Sequence, residues 1–209
     1  MLRTRADDPL ITGRRPPASR WRTWAARLLV AALLPCPWVT AEPLSVDQQV
    51  LILLKVLTRD RNFEHRVHNE LFIGIVYAAG DSTSVRARDE VVKTLTNDLK
   101  GVTFKQLPIR HVGIEFTTAR DVEAAVRDHN VNLLYVTPGA GANIQDLLKI
   151  SQSYGIPTVT GVPEYVEKGV AVGIRREKPQ ILINLKNSRT EGMDFDASLL
   201  RIAKIVGGK

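Results

Sequence analysis

The sequence predicts an α/β fold: a single three-layer domain with a mainly parallel sheet, helices on both faces and a C-terminal antiparallel hairpin followed by helices. Three observations lead there. Apolar strand-like runs alternate with helical segments of ten or more residues, the pattern of βαβ units. The run Gln180 to Leu185 carries Ile181, Leu182, Ile183 and Leu185, apolar on both faces, as a strand covered on both faces should be. The last forty residues, Gly169 to Val206, read as strand, charged turn, strand, helix, helix.

The first forty residues differ from the rest. Seven arginines against two aspartates make this leader +5 of the chain's +7. An apolar run from Ala25 to Val39 follows, broken by Pro35 and Pro37, and Val39-Thr40-Ala41 offers the small residues a signal peptidase requires. Residues 1–41 therefore read as a signal peptide cut after Ala41, and 42–209 as the exported domain. The apolar run is short for a retained anchor. Cys36 is preceded by Pro35, where a lipoprotein signal wants a small residue. Cleavage removes all three tryptophans and the single cysteine. The exported chain then carries only +2, has no thiol, and shows no nucleic-acid footprint.

In the exported chain Ser45 opens a helix at Val46, with Gln48 three residues on in a capping box. Val50, Leu51, Leu53, Leu54 and Leu57 make this helix strongly apolar, suited to a sheet or to a second subunit. Arg59 to Ala78 carries no clear helix signal. Leu71 to Ala79 is a strand, Gly80 to Ser84 a loop, and Val85 to Leu99 a helix. Val102 to Gln106 and Ile109 to Phe116 are strand candidates. Asp121 to His129 is a helix, Val131 to Val136 a buried strand, Thr137 to Asn143 a glycine loop, and Ile144 to Tyr154 an amphipathic helix. Ile156 to Thr160 and Val170 to Arg175 are strands. The tail, Asp196 to Val206, puts Leu199, Ala203 and Val206 on one helical stripe.

Ligands of open α/β sheets sit at the carboxyl ends of strands. Two strand-to-helix loops qualify, and they nominate Gly80, Asp81, Ser82, Gly139, Gly141 and Asn143 as anion-binding residues. Tight turns with Ser82 and Asn143 as helix caps would account for the same residues. Neither loop has P-loop or dinucleotide spacing. Glu64-His65-Arg66-Val67-His68-Asn69-Glu70 holds metal-type donors, but a polar connector looks the same. No set of residues assembles an acid, a base and an oxyanion site. No catalytic residue, metal or cofactor is expected.

The stretch GVAVGIRREKPQILINLKNSRTEGMDFDASLLRIAKIV resembles the C-terminal signature of the YfiR-like (DUF4154) family of bacterial periplasmic proteins. The matching parts are a glycine-bearing strand (Gly173), a short turn, a strand ending Ile183-Asn184-Leu185, a helix ending in Gly192, and a helix opening Ser198-Leu199-Leu200-Arg201. The chain departs from the family in lacking cysteines after the leader and an aromatic motif at the end of the first helix. The resemblance implies a non-enzymatic periplasmic regulator. Such proteins repress an inner-membrane diguanylate cyclase by binding its periplasmic sensor region, and so act on biofilm formation through cyclic di-GMP. The expected partner is the periplasmic domain of a membrane sensor protein, with a homodimer through the first helix as a further contact. The glycine loops keep open the alternative of a periplasmic small-ligand binder serving a transporter or sensor kinase.

Overall fold

The structure, a computed structural model, describes residues 44–207. The leader, its cleavage point and Cys36 lie outside the described residues. The chain runs α1 (Val46–Leu57), α2 (Phe63–Arg66), β1 (Leu71–Tyr77), α3 (Ser82–Lys93), β2 (Thr103–Phe104), β3 (Leu107–Glu115), α4 (Ala119–His129), β4 (Leu133–Val136), α5 (Ile144–Tyr154), β5 (Thr158–Thr160), α6 (Pro163–Glu167), β6 (Val172–Arg175), β7 (Gln180–Asn184), α7 (Leu185–Thr190), α8 (Ala197–Ile202) and β8 (Lys204–Val206).

These strands form one eight-stranded sheet in the order β2-β3-β1-β4-β5-β6-β7-β8. The five from β3 to β6 are parallel. The expected closing hairpin is present: β6 and β7 pair antiparallel, Val172 opposite Ile183. Alternation along the strands splits the core in two. Leu71, Ile73 and Ile75 face a cluster with Val50, Leu53 and Leu57 of α1 and Val91 of α3. Val76, Leu134 and Val136 face Val122 and Val126 of α4 and Leu147 and Leu148 of α5. Helices thus cover both faces, as the doubly apolar strands require.

α1 begins where its cap predicts, with the Ser45 N–H donating to Gln48 Oε1 at 3.2 Å. It packs Val50, Leu53, Leu54 and Leu57 on the sheet, one of the two contacts expected of its apolar face. Leu51 points outward, 40% exposed. β2 and β3 form a hairpin turned at Lys105 and Gln106, both with positive φ (48° and 70°). One helical turn, α2, interrupts the stretch between Arg59 and Leu71 that carried no signal.

The tail differs from expectation. The helix stops at Ile202, Ala203 is extended (φ −81°, ψ 151°), and residues 204–206 become a strand parallel to β7. Of the expected stripe only Leu199 is fully buried. The outer edge of β7 presents backbone N–H and C=O groups that need partners. The β-branched pair Ile205-Val206 supplies them more readily as strand than as helix. Leu185 likewise leaves the strand to open α7.

Candidate functional site

β1 and β4 are neighbours in the sheet, yet their following helices pack on opposite faces, α3 on one and α5 on the other. Such a reversal opens a crevice at the strand ends. Both glycine loops meet there. The Asp81 carboxylate accepts from the backbone N–H of Thr83 (2.8 Å) and Ser84 (3.3 Å), so Asp81 caps α3 and Ser82 is its exposed first residue. Thr137 donates its hydroxyl proton to the Val76 carbonyl at 2.8 Å, which leaves it the acceptor from the Ser84 hydroxyl at 2.7 Å. Ser84 Oγ in turn accepts from the Ala78 N–H at 2.9 Å. One buried hydroxyl pair therefore fastens the loop after β1 to the loop after β4.

The glycines explain themselves by proximity. A Cβ at Gly139, where φ is +85°, would collide with the Asp81 carboxylate. The Gly139 N–H donates to the Tyr165 hydroxyl at 3.1 Å, and the Tyr165 ring lies 2.5 Å from where a Gly141 Cβ would be. Gly80 faces open space. Asn143 is exposed and makes no side-chain cap bond, because a 3-10 turn from Ala140 to Asn143 leads into α5. The capping roles expected of Ser82 and Asn143 thus fall to Asp81 and to that turn.

On the α1–α3 side of the same crevice lies a cavity of about 90 Å³. It includes Gln49, Tyr135, Gly161, Arg86, Glu90 and Arg176. Burial pushes the Tyr135 hydroxyl well above its ordinary pKa, with Arg176 acting against the shift and Glu90 adding to it.

The signature residues near the C-terminus sit in packing roles. A Cβ on Gly173 would strike Val166 of α6. Asn184 is buried; its Oδ1 accepts from the Asn187 N–H at 3.1 Å, capping α7, and its Nδ2 donates to the Val166 carbonyl at 3.0 Å. Gly192 (φ +81°) ends the α7 turn against the Arg66 side chain. Leu200 packs on the α1-side core, while Arg201 is exposed.

A buried ionic cluster joins this end to the rest, and sequence reasoning missed it. Glu191 is fully buried and accepts from the Thr158 N–H (2.8 Å), the Thr158 hydroxyl (2.9 Å) and the Ser151 hydroxyl (2.9 Å). Burial pushes its carboxyl up from 4.5 to about 7, against the pull of those hydrogen bonds and of Arg66. Arg66 pairs with Asp60, which is buried and also accepts from the Asn62 and Asp194 N–H groups. The only advance hint was a carboxylate standing directly before a helix-ending glycine.

The metal-type donors of the 64–70 segment separate. Glu64 pairs with Lys105 at 3.1 Å and Glu70 with Arg110 at 2.7 Å. Among the described residues no three His, Cys, Asp or Glu side chains converge, and no helix is long and apolar enough to cross a membrane.

A different surface is left uncovered. α1, the hairpin and α8 border a groove of about 490 Å³ with an apolar floor of Ile52, Ile174, Ile181 and Ile202 and the cations Arg175 and Lys178. Ile202 is 70% exposed, and Leu51 and Ile205 are also open to solvent.

The chain thus combines a doubly covered sheet, latched strand-end loops and an open apolar groove. The sequence model of the DUF4154 (YfiR/HmsC-like) family matches residues 82–204, and the chain belongs to that family. No curated protein matches it. Three similar solved structures share the fold. One is a conserved domain protein from Vibrio cholerae O1 biovar El Tor, with 13% identity, TM-score 0.53, and 77% of this chain and 60% of that one covered. The second is the ligand-free, open form of CD0873, a substrate binding protein with adhesive properties from Clostridium difficile, with 18% identity, TM-score 0.55, and 79% and 61% covered. The third is an ABC domain in complex with L-Trp from Streptococcus pneumoniae, with 16% identity, TM-score 0.50, and 77% and 60% covered. The chain spans about 60% of the length of each.

Proposed function

We propose that this protein is a non-enzymatic regulator of the bacterial periplasm, exported by residues 1–41, that binds and represses the periplasmic sensor region of an inner-membrane signalling protein, a diguanylate cyclase in the first instance. Family membership over residues 82–204 carries this reading. The groove of Ile52, Ile181 and Ile202 beside Arg175 and Lys178 supports it, since it offers apolar anchors to a partner segment with acidic flanks. Repression is then a population shift. To move the sensor from mostly active to mostly inactive, the protein must prefer the inactive state by about ten-thousandfold. Holding that state lowers cyclic di-GMP and biofilm formation; removing the regulator releases it.

A second reading, a small-ligand binder serving a transporter or sensor kinase, draws on the fold shared with a substrate binding protein and an L-Trp-bound domain. Gly80, Asp81, Ser82, Gly139, Gly141 and Asn143 would border its ligand. The two readings part on deletion of the gene. Repression predicts raised cyclic di-GMP that is restored by the wild-type protein but not by Ile202→Asp. Unchanged cyclic di-GMP together with lost uptake or sensing of a metabolite would favour the second.

A further inference from the structure

The cavity on the α1–α3 side of the crevice has a polar floor inside an otherwise apolar layer. Tyr135 and Gln49 form that floor and are only 5% and 2% exposed. Gln49 donates through Nε2 to the Leu44 carbonyl at 3.2 Å. Among the described residues the Tyr135 hydroxyl has no hydrogen-bond partner. That hydroxyl opens into the cavity, where it is free to donate to an occupant. Gly161 creates the space: a Cβ there would run into Gln49 Oε1 and stand 3.2 Å from the Tyr135 hydroxyl. Arg86 and Glu90 of α3 form one wall, and Arg176 of the hairpin turn the other. None of these three makes an ion pair among the described residues. Arg176 is held in place by its Nε donating to the Leu44 carbonyl at 2.9 Å.

The chemistry selects a ligand class. Burial keeps Tyr135 protonated, so its hydroxyl is a donor at any physiological pH. Two guanidinium groups add further donors and no acceptor. Two positive charges against one glutamate leave a single net positive charge, which matches a monoanion. The volume, about 90 Å³, equals roughly three waters, and so admits a carboxylate bearing one or two further carbons. Guanidinium groups bind planar carboxylates in parallel pairs of hydrogen bonds.

We propose that this crevice binds the carboxylate of a small free organic acid, with the Tyr135 hydroxyl and the guanidinium groups of Arg86 and Arg176 as its donors. The site bridges α1, α3 and the hairpin turn. It stands apart from the partner groove and holds whether or not a sensor is the partner.

Titration calorimetry of the purified protein with acetate and with pyruvate tests it, against phosphate and chloride at matched ionic strength. Saturable binding of acetate or pyruvate, weakened about tenfold by loss of one hydrogen bond in Tyr135→Phe and likewise in the exposed variant Arg176→Ala, is the expected result. A short peptide with a free C-terminus, compared with its amide, separates a chain end from a free acid. The proposal is overturned by absent acetate and pyruvate binding, by equal binding of phosphate or chloride, by binding of the peptide alone, or by affinity that neither variant changes. Circular dichroism of both variants verifies that they fold.

Discussion

Glu191 makes the stability of this protein depend on pH in a direction opposite to that of most carboxylates. Its side chain is fully buried, and burial raises its carboxyl from 4.5 to about 7. The folded protein therefore holds this proton more tightly than the unfolded chain. The stabilisation is complete below about pH 4.5 and is lost as pH rises through about 7. A shift of this size corresponds to about 3 kcal/mol over the whole window, most of it between pH 5 and 8. Glu191→Gln replaces the protonated carboxyl with a neutral amide of the same shape, which can still accept from the Thr158 N–H. Asp47, Asp121 and Asp196 do not interfere, because hydrogen bonds from Ser45, Thr118 and Ser198 or their backbone hold them below the ordinary carboxylate range. His111, lowered by burial, works in the opposite sense but equally in both proteins. Urea unfolding at pH 5 and pH 8 should show the wild type losing about 2 to 3 kcal/mol more than the variant. Parallel losses in the two proteins would refute the assignment of Glu191 as the buried proton carrier.

Other substitutions have separate readouts. Asp60→Ala leaves Arg66 without its buried partner and should cost about 3 to 5 kcal/mol in urea unfolding. Asp81→Ala removes the cap of α3 and should cost about 1 kcal/mol, read as a lower Tm. Gly173→Ala drives a methyl into Val166 and should cost about 1 to 3 kcal/mol by chemical denaturation. Ile202→Asp changes an exposed side chain; stability should stay within about 0.5 kcal/mol while cyclic di-GMP repression is lost.

Much of this fold is legible in the sequence because its signals are local. α5 runs from Ile144 to Tyr154 as its periodicity predicts, and the charged turn Arg176–Pro179 sits between two paired strands. Both glycine loops lie at the strand ends, where alternating strands and helices place them. What escaped depends on partners distant in sequence. Residues 204–206 look helical until the bare edge of β7 is present to pair with them. α6 went unread although Pro163 at its first position is a helix-start signal. Asp60 and Glu191 resemble surface charges in sequence and are buried, with Arg66 beside them, only when the segment before α2 pairs with the chain after α7. Gly161 carries no local signature at all; its meaning comes from Gln49, more than a hundred residues earlier.

Photo-crosslinking in living cells from position 202, with position 154 at the end of α5 as the control, tests the central claim most directly. The account predicts one adduct from position 202 that contains a membrane-anchored sensor protein, and none from position 154. Adducts from 154 alone, or from 202 to a permease and no sensor, would contradict it.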